Sequence, residues 1–341
     1  MTAGWKRELD KTLGKKRYRA ICLQLPEGMK RRAHIIADYI SDKTGGQVIV
    51  SGDPCYGACD LATDIGEPGG KMEVDVIVHF GHSKIGEGNG KENIHKKLPV
   101  IYVECRSGLK PSHHLLSRLM SKMNKGETMA LATTVQHVNA LPEIRKSLEE
   151  SGFKVLIGKP GKRARYPGQV LGCDIGGARA LSESADRFIF VGSGDFHPIG
   201  IAMATGRDVL ICDLEKNEIR EIAGGLDRFL RKRHALIQKA KEGKMLGILV
   251  STKSGQKRMA LASRLFRLAE KCRMKAYIIA MREVTPQTLL NFGMDAYVST
   301  ACPRIAIDDA AGYSKPVITP AELEIALGKR KWEDYVLDSF S

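Results

Sequence analysis

The chain has 341 residues, 43% hydrophobic and 27% charged, with a formal net charge of +15. That length exceeds one ordinary hydrophobic core, so two or three domains are expected. No apolar run approaches a membrane span and Met1–Ala20 lacks a signal h-region, so no membrane association and a cytoplasmic location are expected.

The first third opens with a basic helical lead, Trp5–Lys16, and a strand, Ala20–Leu25. Pro26-Glu-Gly28 makes the turn into a helix over Met29–Lys43. The strand Gln47–Val50 follows, then a cysteine-bearing loop, strands Val74–Phe80 and Val100–Glu104, and a helix Pro111–Met123. Short apolar runs separated by helices are the pattern of buried parallel strands in βαβ units.

The second third repeats the order, with strand Met129–Thr133, helix Val138–Ser151 and strand Val155–Ile157. A basic, glycine-rich loop, Lys159–Tyr166, then precedes the strands Phe188–Val191 and Val209–Cys212. A long charged segment, Glu218–Lys241, reads as one helix, an interdomain spacer with a solvated face and a packed stripe. The last third has strand Leu246–Val250, helix Lys257–Cys272 and strands Lys275–Ile279, Ala296–Ser299 and Pro316–Ile318. The fold class is therefore α/β, an internal triplication into three similar parallel-sheet domains around a shared centre. The expected boundaries are 1–124, 125–242 and 243–341.

Eight widely spread cysteines do not form a secreted disulfide framework, which leaves reduced thiols or metal ligands. The close pair lies in Gly52-Asp-Pro-Cys-Tyr-Gly-Ala-Cys-Asp60. Its C-x-x-x-C spacing is neither the C-x-x-C of structural zinc nor, without a third nearby cysteine, the usual loop of radical S-adenosylmethionine enzymes. Ligands in open parallel sheets sit beyond the carboxyl ends of strands. Each unit carries one cysteine in such a place: Cys59, Cys173 and Cys302. Cys22 and Cys212 lie inside strands, Cys105 ends one and Cys272 ends a helix, positions that suit small core residues. Cys55 is left unassigned. Three converging thiolates do not close a tetrahedral zinc site, but they can hold a [4Fe–4S] cluster with one iron open to substrate. Three unrelated loop cysteines is the alternative on spacing alone.

The flanking segments carry a resemblance. They are the Gly52–Asp60 loop, His79-Phe-Gly-His-Ser83, Gly168-Gln-Val-Leu-Gly-Cys173, Val191-Gly-Ser-Gly-Asp-Phe-His-Pro-Ile-Gly200, Ser251-Thr-Lys-Ser-Gly-Gln256 and Ala301-Cys-Pro-Arg-Ile-Ala-Ile-Asp308. Together they resemble the archaeal diphthamide biosynthesis enzymes, the 2-(3-amino-3-carboxypropyl)histidine synthases. The resemblance runs from about Ala20 to the C-terminus. It implies a homodimer with a [4Fe–4S] cluster on Cys59, Cys173 and Cys302, and S-adenosylmethionine as co-substrate. It further implies that an external electron donor reduces the cluster and that the sulfur–Cγ bond of the co-substrate breaks. The resulting 3-amino-3-carboxypropyl radical adds to a histidine of translation elongation factor 2, and methylthioadenosine leaves.

Among the polar loops, Ser254, Gly255 and Gln256 follow a strand and precede a helix, a position suited to the cofactor or to an ordinary helix cap. Arg304, close after Cys302, suits the methionine carboxylate in bidentate fashion or a salt bridge to Asp308 or Asp309. His79 and His82 read as second-layer groups or as satisfied loop histidines, and His197 as a group that positions substrate or caps its loop. Two rival functions stand beside the first. Quinolinate synthase is also a triplicated α/β enzyme with one cluster cysteine per domain. A non-catalytic basic adaptor for RNA or the ribosome would use the positive charge, although no recognition module points to nucleic acid as the main partner.

Overall fold

The computed structural model describes residues 4–14, 16–66, 73–86 and 98–340. Its strands form three sheets. The first holds β1 (Ala20–Gln24), β2 (Gln47–Val50), β3 (Val76–Phe80) and β4 (Val100–Val103) in the order β2-β1-β3-β4. The second holds β5 (Thr128–Thr133), β6 (Lys154–Ile157), β7 (Arg187–Val191), β8 (Val209–Asp213) and β9 (Glu218–Glu221), ordered β6-β5-β7-β8-β9. The third holds β10 (Met245–Ser251), β11 (Lys275–Met281), β12 (Ala296–Ser299) and β13 (Val317–Ile318), ordered β11-β10-β12-β13. In each unit the first strand lies between the second and third, with the fourth outside the third. The shared order is the structural form of the triplication.

All pairings are parallel except β8 with β9. Parallel sheets need both faces covered, and alternate residues of one strand enter different cores. Met129 and Leu131 of β5 join one cluster with Leu141, Ile144 and Leu148, while Ala130 and Ala132 join another with Phe188 and Ile201. In β1, Ile21 and Leu23 face the helix residues Ile36 and Ile40, while Cys22 packs with Ala62 and Ile77 on the other side.

The segment Glu218–Lys241 differs from the expected single helix. Its first four residues are β9, paired antiparallel with β8, and the helix runs over Ala223–Lys241. Asn217 takes a left-handed φ of 53° in the turn between the two strands. Asparagine tolerates that conformation, and it reverses the chain before a helix can start. The helix does more than span: Ala240 is in the core of the third unit, and Arg233, 2% exposed, pairs with Glu322 at 2.5 Å. The segment Phe196–Thr205 is also helical, so His197 lies on a helix rather than in a loop. No helix among the described residues is long and apolar enough to cross a membrane.

Candidate metal centre

Each cysteine loop leaves the carboxyl edge of its sheet and is tied down by buried polar groups. In the first unit the tie is Gln24, at the end of β1 and 1% exposed. Its amide donates to the Asp60 carbonyl (2.7 Å), and its Oε1 accepts from the Ala62 N–H (3.3 Å) and faces His79 Nδ1 (2.9 Å). In the second unit Asp174 holds the chain around Cys173. Its Oδ2 accepts from the N–H groups of Arg163 and Ala164 (2.6 and 3.1 Å), and its Oδ1 from Gly176 (2.9 Å). In the third, Cys302 precedes the short helix Pro303–Ile307, and Arg258 donates to the carbonyls of Thr300 and Ala301 (2.6 and 3.1 Å) just before it.

The loops of Cys59 and Cys173 meet across the Ser254–Gln256 turn of the third unit. Gly255 N–H donates to the Cys59 carbonyl (3.2 Å), and the Gln256 amide donates to the Cys59 sulfur (3.3 Å). Arg163 bridges the other way, to the Gly255 carbonyl (2.8 Å) and the Cys173 sulfur (3.5 Å). Cys59, Cys173 and Cys302 are each partly exposed. Burial nevertheless pushes the Cys302 thiol up to about 12, with Cys59 and Cys173 adding to the shift through their own charge. Burial likewise pushes Cys173 up to about 11, and it raises Cys59 despite the Gln256 hydrogen bond and the Arg163 charge. Three thiolates at such mutual range are unfavourable unless a cation sits among them. The donor set therefore fits a metal group.

The spacing also bears on which group fits. Among the described residues, the metal-ligating atoms found within 4.8 Å of one another are those of Cys55, His79 and His82; the three loop cysteines are spread wider. A single ion draws its ligands closer than that, whereas a multi-iron cluster holds them apart. In the Cys55 set, His79 already has both ring nitrogens engaged, with Gln24 and with His82 at 3.0 Å. His79 and His82 thus sit in a satisfied network beside the Cys59 loop. Burial raises the Cys55 thiol to about 12, as it does Cys302, so this shift does not separate the two.

Gly255 and Gln256 lie against the Cys59 loop, with Gln256 only 4% exposed, while Ser254 beside them is exposed. Arg304 pairs with Asp308 at 2.5 Å, the local competitor foreseen for it, and lies 5.1 Å from the Phe196 ring centre. His197 stacks on Phe190 and is lowered to about 4, by burial first and the Arg304 charge second. Three residues at the centre were not singled out from the sequence, although Lys253 lies within the Ser251–Gln256 segment. Arg163 sat in a loop whose role was open, Lys253 binds Asp60 from 193 positions away at 2.8 Å, and Phe340 hydrogen-bonds the Cys173 carbonyl through its N–H.

This is a triplicated α/β protein with a cysteine centre assembled from all three units. A family profile described as "Putative diphthamide synthesis protein" matches residues 25–336. The chain belongs to that family of enzymes, and the match decides between the two triplicated alternatives. It is 36% identical to the 2-(3-amino-3-carboxypropyl)histidine synthase of Pyrococcus horikoshii over 96% of this chain and 90% of that protein. It is 28% identical to subunit 1 of the Gallus gallus synthase, over 98% of this chain and 80% of that one. The crystal structure of Dph2 from Pyrococcus horikoshii with a 4Fe-4S cluster superposes with a TM-score of 0.85 at 35% identity, covering 98% of this chain and 92% of that one.

Proposed function

We propose that this chain transfers the 3-amino-3-carboxypropyl group of S-adenosylmethionine to a histidine of translation elongation factor 2, the first step of diphthamide biosynthesis. The reading is supported by the Cys59 and Cys173 loops joined across the Ser254–Gln256 turn, with Gln256 and Arg163 donating to the two sulfurs, and by Cys302 lying near enough for its thiol to feel both of their charges. In this reading the three thiolates hold a [4Fe–4S] cluster. Such a cluster supplies one electron for cleavage of the sulfur–Cγ bond, and an iron not held by cysteine to receive the methionine portion. Methylthioadenosine leaves, and the carbon fragment adds as a radical to the imidazole, whose ring regains aromaticity by giving up one proton and one electron.

The chain's own residues orient and shield. Gln256 and Gly255 fix the Cys59 loop against the third unit, and in this reading the Ser254–Gln256 turn contacts the co-substrate. Arg304 uses its Nε for Asp308. An arginine has five donors, so its terminal nitrogens remain to meet a carboxylate. The working form in this reading is a cytoplasmic homodimer served by an external electron donor, with units 1–124, 125–242 and 243–341. The basic surface favours encounter with an acidic protein partner.

The test is anaerobic. The chain is reconstituted with iron and sulfide, reduced with dithionite and mixed with S-adenosylmethionine and archaeal elongation factor 2. Mass spectrometry should find a 3-amino-3-carboxypropyl adduct on a histidine peptide together with methylthioadenosine. A cluster-loaded chain that yields neither product would overturn the reading.

A further inference from the structure

Arg163 is 9% exposed and placed by unusually many contacts. Its backbone N–H is held by Asp174 (2.6 Å), and one guanidinium nitrogen is held by the Gly255 carbonyl (2.8 Å). The other terminal nitrogen points at the Cys173 sulfur (3.5 Å). The guanidinium lies 4.4 Å from the centre of the Phe340 ring, and Arg258 lies 4.2 Å from the same ring. Phe340 is itself fixed, because its N–H donates to the Cys173 carbonyl (2.9 Å) and Arg258 ion-pairs with Asp338.

The C-terminal segment thus wedges an aromatic ring between two arginines at the cysteine centre. Arg258 reaches the carbonyls before Cys302, and Arg163 reaches Cys173 and the turn that touches Cys59. The ring provides a platform for both cations, and with the Gly255 carbonyl it leaves the Arg163 guanidinium little freedom to swing away from the sulfur. A fixed cation donating a hydrogen bond to a ligand sulfur favours the more negative, reduced state of an iron–sulfur group.

We propose that Arg163, seated on Phe340, is a positioning residue that raises the reduction potential of the metal group held by Cys59, Cys173 and Cys302. The inference rests on the cluster reading above and adds a role for two residues outside the ligand set. No bond to carbon is made or broken by Arg163. It shifts the balance of a one-electron reduction whose electron comes from the external donor.

The experiment compares the anaerobically reconstituted full chain with Arg163→Met, Arg163→Lys and Phe340→Leu. Iron and sulfide content is measured first, then the reduced fraction by electron paramagnetic resonance against a series of fixed potentials. Arg163→Met should keep its iron while its ratio of reduced to oxidised cluster falls about tenfold at a given potential, equivalent to about 59 mV for one electron. Arg163→Lys should fall between it and the unaltered chain, and Phe340→Leu should shift the same way. An iron-loaded Arg163→Met with an unchanged ratio overturns the proposal. If Arg163→Met takes up no iron, Phe340→Leu decides, since it keeps the guanidinium and removes only its platform: a lowered ratio supports the proposal and an unchanged one overturns it. An unaltered chain that takes up no iron defeats the cluster reading itself, and this inference with it.

Discussion

Gly255 lies so close to Cys59 that a methyl group on it would come within 2.5 Å of the Cys59 Cα and 2.7 Å of its Cβ and carbonyl oxygen. Backbone cannot yield as a flexible side-chain tip does, so the first-unit cysteine loop and the third-unit turn fit only with glycine there. Gly255→Ala should push the loops apart, break the Gln256 contact with the Cys59 sulfur and lower iron retention after reconstitution at least tenfold. Gly108→Ala, where an added methyl meets nothing within 4 Å, serves as the control and should retain iron fully. Equal retention in both variants would remove the close approach from the account of the site.

The cysteines divide by what surrounds them. Cys22 and Cys212 are fully buried within β1 and β8, and burial raises both thiols to about 12. Replacing either by alanine should cost about 1 kcal/mol of stability through the small cavity left behind and leave iron content unchanged. Cys59→Ala, Cys173→Ala and Cys302→Ala should each abolish stable cluster binding, while Cys55→Ala should keep it. Iron and sulfide assays on the six purified variants check this, and full iron in all three loop-cysteine variants would sink the ligand assignment.

Local pattern made much of this legible. Runs such as Val76–Phe80 and Val209–Asp213 are buried at every position, and so announce themselves as apolar stretches. The strand order follows once the runs are seen to recur. β9 escaped because Glu-Ile-Arg-Glu buries only Ile219 and is too short to show a period. Arg233 escaped because a buried arginine looks like any surface charge until Glu322 is placed beside it, 89 residues away. The same reason hid Lys253, Arg163 and Phe340: their partners are distant in sequence, and distance leaves no trace in a local pattern.

Lys253 and Asp60 form the buried ion pair that seats the cysteine loop on the third unit. The nitrogen lies 2.8 Å from Asp60 Oδ2 and 2.7 Å from Glu283, and the ammonium sits 4.8 Å from the Tyr56 ring centre. Burial alone would lower the lysine's pKa; the hydrogen bonds to Asp60 and Glu283 outweigh it and hold the net value up. Lys253→Met leaves a carboxylate that is 0% exposed with only the longer Arg282 contact at 3.9 Å, and breaking one side of a buried pair costs up to about 3–5 kcal/mol. Urea unfolding should show that loss, and the double variant with Asp60→Asn should recover part of it. Additive losses in the double variant would mean the two groups act independently.

Acid should weaken the metal-free chain through its histidines before most carboxylates titrate. Burial lowers His82 and His197 to about 4 from the model-peptide 6.5, and burial also lowers His137, which is 6% exposed. Between those values the unfolded chain takes up protons that the folded chain refuses, so stability falls as pH falls through that window. Above about 6.5 the histidine contribution is fully present, and below about 4 both states are protonated and the loss is complete. Each strongly lowered histidine contributes on the order of 2 kcal/mol, at 1.36 kcal/mol per pKa unit with some allowance for partial exposure. Thermal unfolding followed from pH 7 to pH 4.5 should therefore drop by several degrees. His197→Phe, which preserves the stack on Phe190 and cannot take a proton, should flatten the slope. An unaltered slope in that variant would show that His197 is as readily protonated in the folded chain as in the unfolded one.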